Sequence, residues 1–280
     1  MQRARRFLFR GSAVGVAAHI RRPYDLVIPV QASVSLPIIG GRALSAVNGE
    51  CFGEVLSFGS AVVNSSADYD PPADAIKFTE GNHQDNKLPT RTRVSTEVFD
   101  LRIDSSDGGS RGHTLTVARL AASMESWHPR KPGHQPSFTT TLAIEGLAID
   151  RQPFEVKFAD DLLEIETYER LYAEQKNFKH LIEPWPTKGV LAPAPSACPC
   201  YAALTACSSF RPIGKSAAKL AKVLGPNRIY VQDFGTIYLA EMIISPVDRR
   251  LALMRIEMGS PIGGDVLAGE LGLDGHDWPP

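Results

Sequence analysis

The sequence predicts a mainly β protein, with antiparallel sheets forming a sandwich or barrel, one amphipathic helix near residues 160–182 and a short helix near 216–224. Three observations carry this. Apolar residues recur with period two over most of the chain, the spacing that gives a strand one buried face. Turn-forming clusters separate these runs at short intervals. Strand-like and helix-like segments do not alternate, which argues against a doubly wound parallel sheet.

The first 22 residues hold Arg3, Arg5, Arg6, Arg10, Arg21 and Arg22 and no acid. Arg5-Arg6-Phe7-Leu8-Phe9 looks like the start of a twin-arginine export signal. The stretch that follows, Gly11 to Ile20, is short, weakly apolar and interrupted by His19. An ordinary strand with Phe7 and Phe9 on one face is the favoured reading, with a cytoplasmic location; export is the alternative. Leu26 to Leu36 is rich in β-branched residues, and Pro29 marks it as an edge or bulged strand because proline donates no ladder hydrogen bond. Asn48-Gly49 reads as a type I′ turn inside a hairpin from Ala43 to Phe58. Residues 64 to 92, polar and with three prolines, read as a long excursion.

Phe99, Leu101 and Ile103 alternate with Asp100, Arg102 and Asp104, and Asp107-Gly108-Gly109 turns the chain toward a return strand through Leu115 and Val117. In the run from Leu142 to Ile149 the alternation shifts by one residue at Gly146, the pattern of a β-bulge. Phe154, Val156 and Phe158 follow as another strand. The period then lengthens. Leu162, Ile165, Tyr168, Leu171, Tyr172, Phe178, Leu181 and Ile182 form one apolar stripe, as one helix or two short ones, opened by Asp160 as N-cap and closed by Pro184. Tyr201 to Cys207 is a possible strand. Ser216 to Leu224 reads as a helix with Gly225 beyond its end. Strands follow at Ile229–Val231, Ile237–Ile244 and Leu251–Met258, the last apolar on both faces and so central. Gly259 to Pro280, rich in Gly and Pro, reads as a surface run. The chain is expected to form a single β-rich domain over 1–280, or two intertwined lobes, since the hairpin around residue 150 leaves no clean boundary.

Composition excludes several classes. The 280 residues carry 30 Lys+Arg against 31 Asp+Glu, with 43% apolar and 22% charged residues, so the chain is neither disordered nor a globally basic nucleic-acid binder. No apolar run reaches the ~18 residues of a membrane-spanning helix. H-E-x-x-H, G-x-S-x-G, G-x-G-x-x-G and paired C-x-x-C are absent.

Three weak constellations remain. Gly214-Lys215-Ser216 opens a helix as a phosphate-binding loop would, but Ser209 stands where that motif has its first glycine. His128 and His134 could combine with Cys198 and Cys200 as a zinc site, although the spacing fits no standard pattern. Asp68, Asp70, Asp74 and Glu80 could offer oxygens to calcium. With no catalytic motif intact, the leading expectation is a non-enzymatic β-rich binding or assembly protein, with a protein partner or a second copy and no cofactor. A metal-dependent hydrolase and a nucleotide binder are the rivals.

Overall fold

The computed structural model describes residues 6–70, 88–106, 111–130, 134–182 and 202–278. Two antiparallel sheets pack face to face. Sheet A comprises β1 (Arg6–Arg22), β2 (Leu26–Ser35), β10 (Ala202–Thr205), β12 (Ala221–Gly225), β13 (Arg228–Val231), β14 (Gly235–Ile244), β15 (Asp248–Met258) and β16 (Gly263–Trp278). Its order is β12-β13-β14-β15-β16-β1-β2, with β10 also pairing β14. Sheet B comprises β3 (Gly41–Phe52), β4 (Leu56–Tyr69), β5 (Thr90–Asp104), β6 (Thr114–His128), β7 (Ser137–Glu145), β8 (Ala148–Ile149), β9 (Gln152–Phe158) and β11 (Cys207–Pro212). Its order is β11-β9-β8-β6-β5-β4-β3, with β7 pairing β6. One continuous core fills the space between them, drawing on Val16 and Leu271 from sheet A and Ala61, Val98 and Leu120 from sheet B.

The predicted antiparallel β class is what the structure shows, and several elements move. Asn48-Gly49 is no turn: β3 runs straight through it and the chain reverses at Gly53. The positive φ that this pair tolerates is used inside the strand, where Gly49 has φ +64°. The excursion expected over residues 64–92 is overturned at both ends, because β4 continues to Tyr69 and β5 starts at Thr90; residues 71–87 lie outside the described residues. The expected surface run after Gly259 holds β16, which lies between β15 and β1. Its glycines misled the reading. Gly264 and Gly275 sit where a Cβ would meet the neighbouring strand's backbone or the Phe7 ring at 2.3 and 2.5 Å, so they mark close packing.

The apolar stripe over 160–182 is two short helices, α1 (Asp160–Leu163) and α2 (Tyr168–Glu174), followed by turns. Thr167, not Asp160, supplies the side-chain cap, accepting from the Arg170 amide at 3.2 Å. Leu162, Ile165, Tyr168, Leu171, Phe178 and Leu181 are all buried, as the stripe requires. The second helix, α3 (Gly214–Leu220), ends four residues early and the chain continues as β12.

These strands are long: β1 has 17 residues and β16 has 16, against a usual five or six. A feature running across each sheet accommodates that length. In sheet A the pairing skips Ala240, Leu253, Gly269, Gly15 and Ala32 on five neighbouring strands. In sheet B it skips Gly49, Gly59, Asp100 and Ala118, and Gly146 falls between β7 and β8 on the same line. φ is positive at every second member: Ala240, Gly269 and Ala32 in one sheet, Gly49, Asp100 and Gly146 in the other. Each line shifts the in–out alternation by one residue, so Leu253 and Met254 both face inward while Ala118 and Arg119 both face outward. Gly146 therefore does mark a bulge, one member of a five-strand crease. The creases nest: Thr96 Oγ1 donates to the Val14 carbonyl across the sheets at 3.1 Å, beside Gly15 and Gly269.

Candidate interaction surface

The broad outer faces of both sheets are finished with ion pairs. On sheet B, Arg119 bridges Glu97 and Glu145 at 2.6 and 2.7 Å, and Arg93 pairs with Glu125. On sheet A, Arg255 grips Glu241 and lies 3.9 Å over the Tyr238 ring. A groove of about 600 Å³ beside that pair is lined by Leu204, Ile243, Asp248 and Glu270. These faces are solvated surfaces of the usual kind.

The flank made by β2, β3 and their connection is different. β2 is the terminal strand of sheet A and β3 the terminal strand of sheet B, so both free edges lie on one side. From Leu26 to Gly49 the only charged residue is Arg42. Ile39 is 84% exposed, Leu44 69%, Val27 64% and Ile38 58%. None of β3's 12 residues is buried. The connection is nevertheless anchored. Leu36 and Phe9 amides donate to Gly11 and Ile38 carbonyls at 2.8 and 3.0 Å, and Leu36 packs against Phe7, Phe9 and Ala67. Gly40 closes the Pro37 turn with φ +84°, where a Cβ would meet the Ala67 carbonyl at 2.9 Å. Ile38 and Ile39 are thus presented by a tied-down turn.

Free edges invite pairing, and proteins guard them with short strands, charge or proline. The opposite flank follows that rule: β12 has five residues including Lys222, and Lys215, Lys219 and Arg211 surround it. On the β2–β3 flank the guards are sparse: Pro29 and Pro37, both outside β3, and the charges of Arg42 and Glu50 within it.

Among the described residues, those singled out from the sequence form no metal-ligating cluster. Gly214, Lys215 and Ser216 are exposed at the start of a seven-residue helix that follows an antiparallel strand. That is not the parallel strand–loop–helix unit that cradles phosphate. His134 is exposed, whereas His128 is buried; Cys198 and Cys200 lie outside the described residues. Among the described residues no three His, Cys, Asp or Glu side chains are placed to hold a metal. Asp68 accepts from the Tyr69 amide at 2.7 Å and Asp70 pairs with Arg91 at 3.2 Å. Arg42 and Arg93 line the same hollow, a cationic setting that disfavours calcium; Asp74 and Glu80 lie outside the described residues.

His128 packs edge-on against Phe7 and Phe138, with ring centroids 4.9 and 6.3 Å away. Burial first, then the Arg130 and His276 charges, pushes its pKa down to about 4. The unfolded chain therefore takes up a proton near pH 6.5 that the folded chain refuses until about pH 4. Stability should fall across that window as pH is lowered, by about 3 kcal/mol from this group. Urea melts of wild type and His128→Phe between pH 7 and pH 4 check this: the variant should lose that part of the slope.

The cysteines divide as well. Cys51 is exposed on β3, whereas Cys207 is buried with its thiol pushed up to about 12. Iodoacetamide at pH 8 should alkylate Cys51 in the native protein and reach Cys207 only on unfolding, as peptide mass mapping would show.

A family described as a domain of unknown function, DUF8256, has a model that matches residues 7–188. The chain belongs to this family. The DUF8256 match spans β1 to α2 and contains the whole β2–β3 flank. It stops short of β16, with which β1 pairs along nearly its full length, so residues 202–278 supply one of the two neighbours of the matched region's first strand, the other being β2. No curated protein and no solved structure matches the chain.

Proposed function

We propose that this protein is a non-enzymatic assembly module in which two copies pair along the β2–β3 flank. The observation that carries the reading is a charge-poor flank, with Arg42 and Glu50 its only charges from Leu26 to Phe52, holding the free edges of both sheets. A strand edge is self-complementary: rotated by a two-fold axis, β3 meets its own copy antiparallel, donors facing acceptors. The flank's near-absence of charge suits a second copy, since nothing in it repels itself and little in it would attract a charged partner.

Size agrees. Twelve residues of β3 extend about 40 Å, and two packed sheets with their side chains are about 20 Å thick. That gives about 800 Å² per copy, the usual half of a stable interface. In this reading the chain acts as one domain, because strands from its two ends are neighbours in sheet A. Sedimentation equilibrium of the full chain tests the proposal. The expected mass is twice the 30.4 kDa of one chain; a single-chain mass at tens of micromolar would refute it.

A further inference from the structure

The inter-sheet space is aliphatic at one end and polar at the other. On sheet B, neighbouring inward rows at the polar end hold Thr90 beside His128, then Ser126 beside Phe138, then Met124 beside Thr140. From sheet A, Arg249 reaches over Phe138 with its guanidinium carbon 4.8 Å from the ring centroid. Arg249 is 1% exposed. Its one hydrogen bond to the described residues runs from Nη2 to the Ile165 carbonyl at 2.5 Å; the Glu166 charge acts on it through space, and no described carboxylate is hydrogen-bonded to it. Its Nε has no partner, nor do His128 Nε2, Thr90 Oγ1 and Thr140 Oγ1.

A buried guanidinium with no hydrogen-bonded carboxylate is costly, and each orphaned polar group adds to that. The unmatched groups are alike in kind. Arg249 can only donate, and the histidine and both hydroxyls can donate as well. What is missing is an acceptor within hydrogen-bond reach, and an anionic one would serve the guanidinium best. The walls are otherwise apolar: Phe7, Phe138, Met124 and Ile165.

We propose that this end of the inter-sheet space binds a small carboxylate with an apolar body, its oxygens accepting from Arg249, His128 and Thr140 while Phe138 and Phe7 pack against the remainder. Arg249 already holds the connection between α1 and α2 through Ile165, and the Phe138 amide donates to Glu166 in the same connection at 2.8 Å. Since Nε has no solvent contact, the ligand enters by opening that connection. This site is separate from the β2–β3 flank and stands or falls without it.

Benzoate is the probe, with benzamide as its uncharged counterpart and inorganic phosphate as an anion lacking the apolar body. Thermal melts of the full chain should show a saturable rise with benzoate and none with benzamide. Arg249→Met should weaken benzoate binding about thirtyfold or more, as loss of a buried charge partner does. Thr140→Val, close in shape to the original, should weaken it less and keeps the test usable if the arginine variant does not fold. No benzoate response in the wild type, an equal response to benzamide, or unchanged benzoate binding in the variants overturns the proposal. A response to phosphate matching that to benzoate overturns the assignment of a carboxylate with an apolar body.

Discussion

Leu44→Lys should leave the chain folded and convert the pair of copies into single chains. Leu44 stands mostly exposed on β3, so its replacement takes little apolar area from the core of one chain. Surface changes of that sort alter stability by about 0.5 kcal/mol or less. In the paired state the lysine would lie on a covered edge; the one acid of β3, Glu50, is six residues along the strand, and none lies between Leu26 and Gly49. Burying an unpaired ammonium costs several kcal/mol, enough to weaken dimerisation by more than about a hundredfold. Light scattering after gel filtration reads the mass, and circular dichroism confirms the fold. Ile39→Asp should act in the same direction, since Ile39 is the most exposed large apolar side chain of the flank.

Gly15→Ala and Gly49→Ala should differ sharply, although both glycines belong to creases. Gly15 has an ordinary φ but no room: an added Cβ would lie 2.7 Å from the Gln31 carbonyl oxygen and 3.0 Å from the Ala61 Cβ. Forcing a methyl into that sheet-to-sheet contact should cost about 3 kcal/mol. Gly49 has room in every direction but a φ of +64°. Alanine there meets only the left-handed backbone penalty, about 1 kcal/mol. Chemical denaturation of the two variants measures the difference. Equal losses would mean that the creases are set by backbone conformation alone, with no close nesting of the sheets.

Local chemistry fixed much of this fold in advance. Period-two runs at Phe99–Ile103, Ile237–Ile244 and Leu251–Met258 became strands because one buried face is the only stable use of that spacing. Pro29 marked an edge strand for a sound reason, the missing donor, and β2 is an edge. The failures share a cause. Asn48-Gly49 and the glycines of β16 resemble turn or surface signals, since positive φ and the lack of a Cβ usually serve chain reversal. Here they serve a crease and close approach between strands, demands that arise only once sheets pack on each other. The charge gap from Leu26 to Gly41 is visible in the sequence. Its meaning depends on β2 and β3 ending their sheets on one side, and strand order is a long-range property that no local pattern encodes. Arg249 was likewise unreadable, because its neighbours Phe138 and Ile165 are brought to it by the fold.

The most direct test of edge pairing is hydrogen exchange of the wild-type chain at two protein concentrations well apart. Half of β3's amides face away from β4 and have no ladder partner among the described residues. Pairing of two copies predicts that protection of β3, and of the Pro37–Gly40 turn beside it, rises with concentration while β12 on the opposite flank is unchanged. Fast, concentration-independent exchange along β3 would contradict the account.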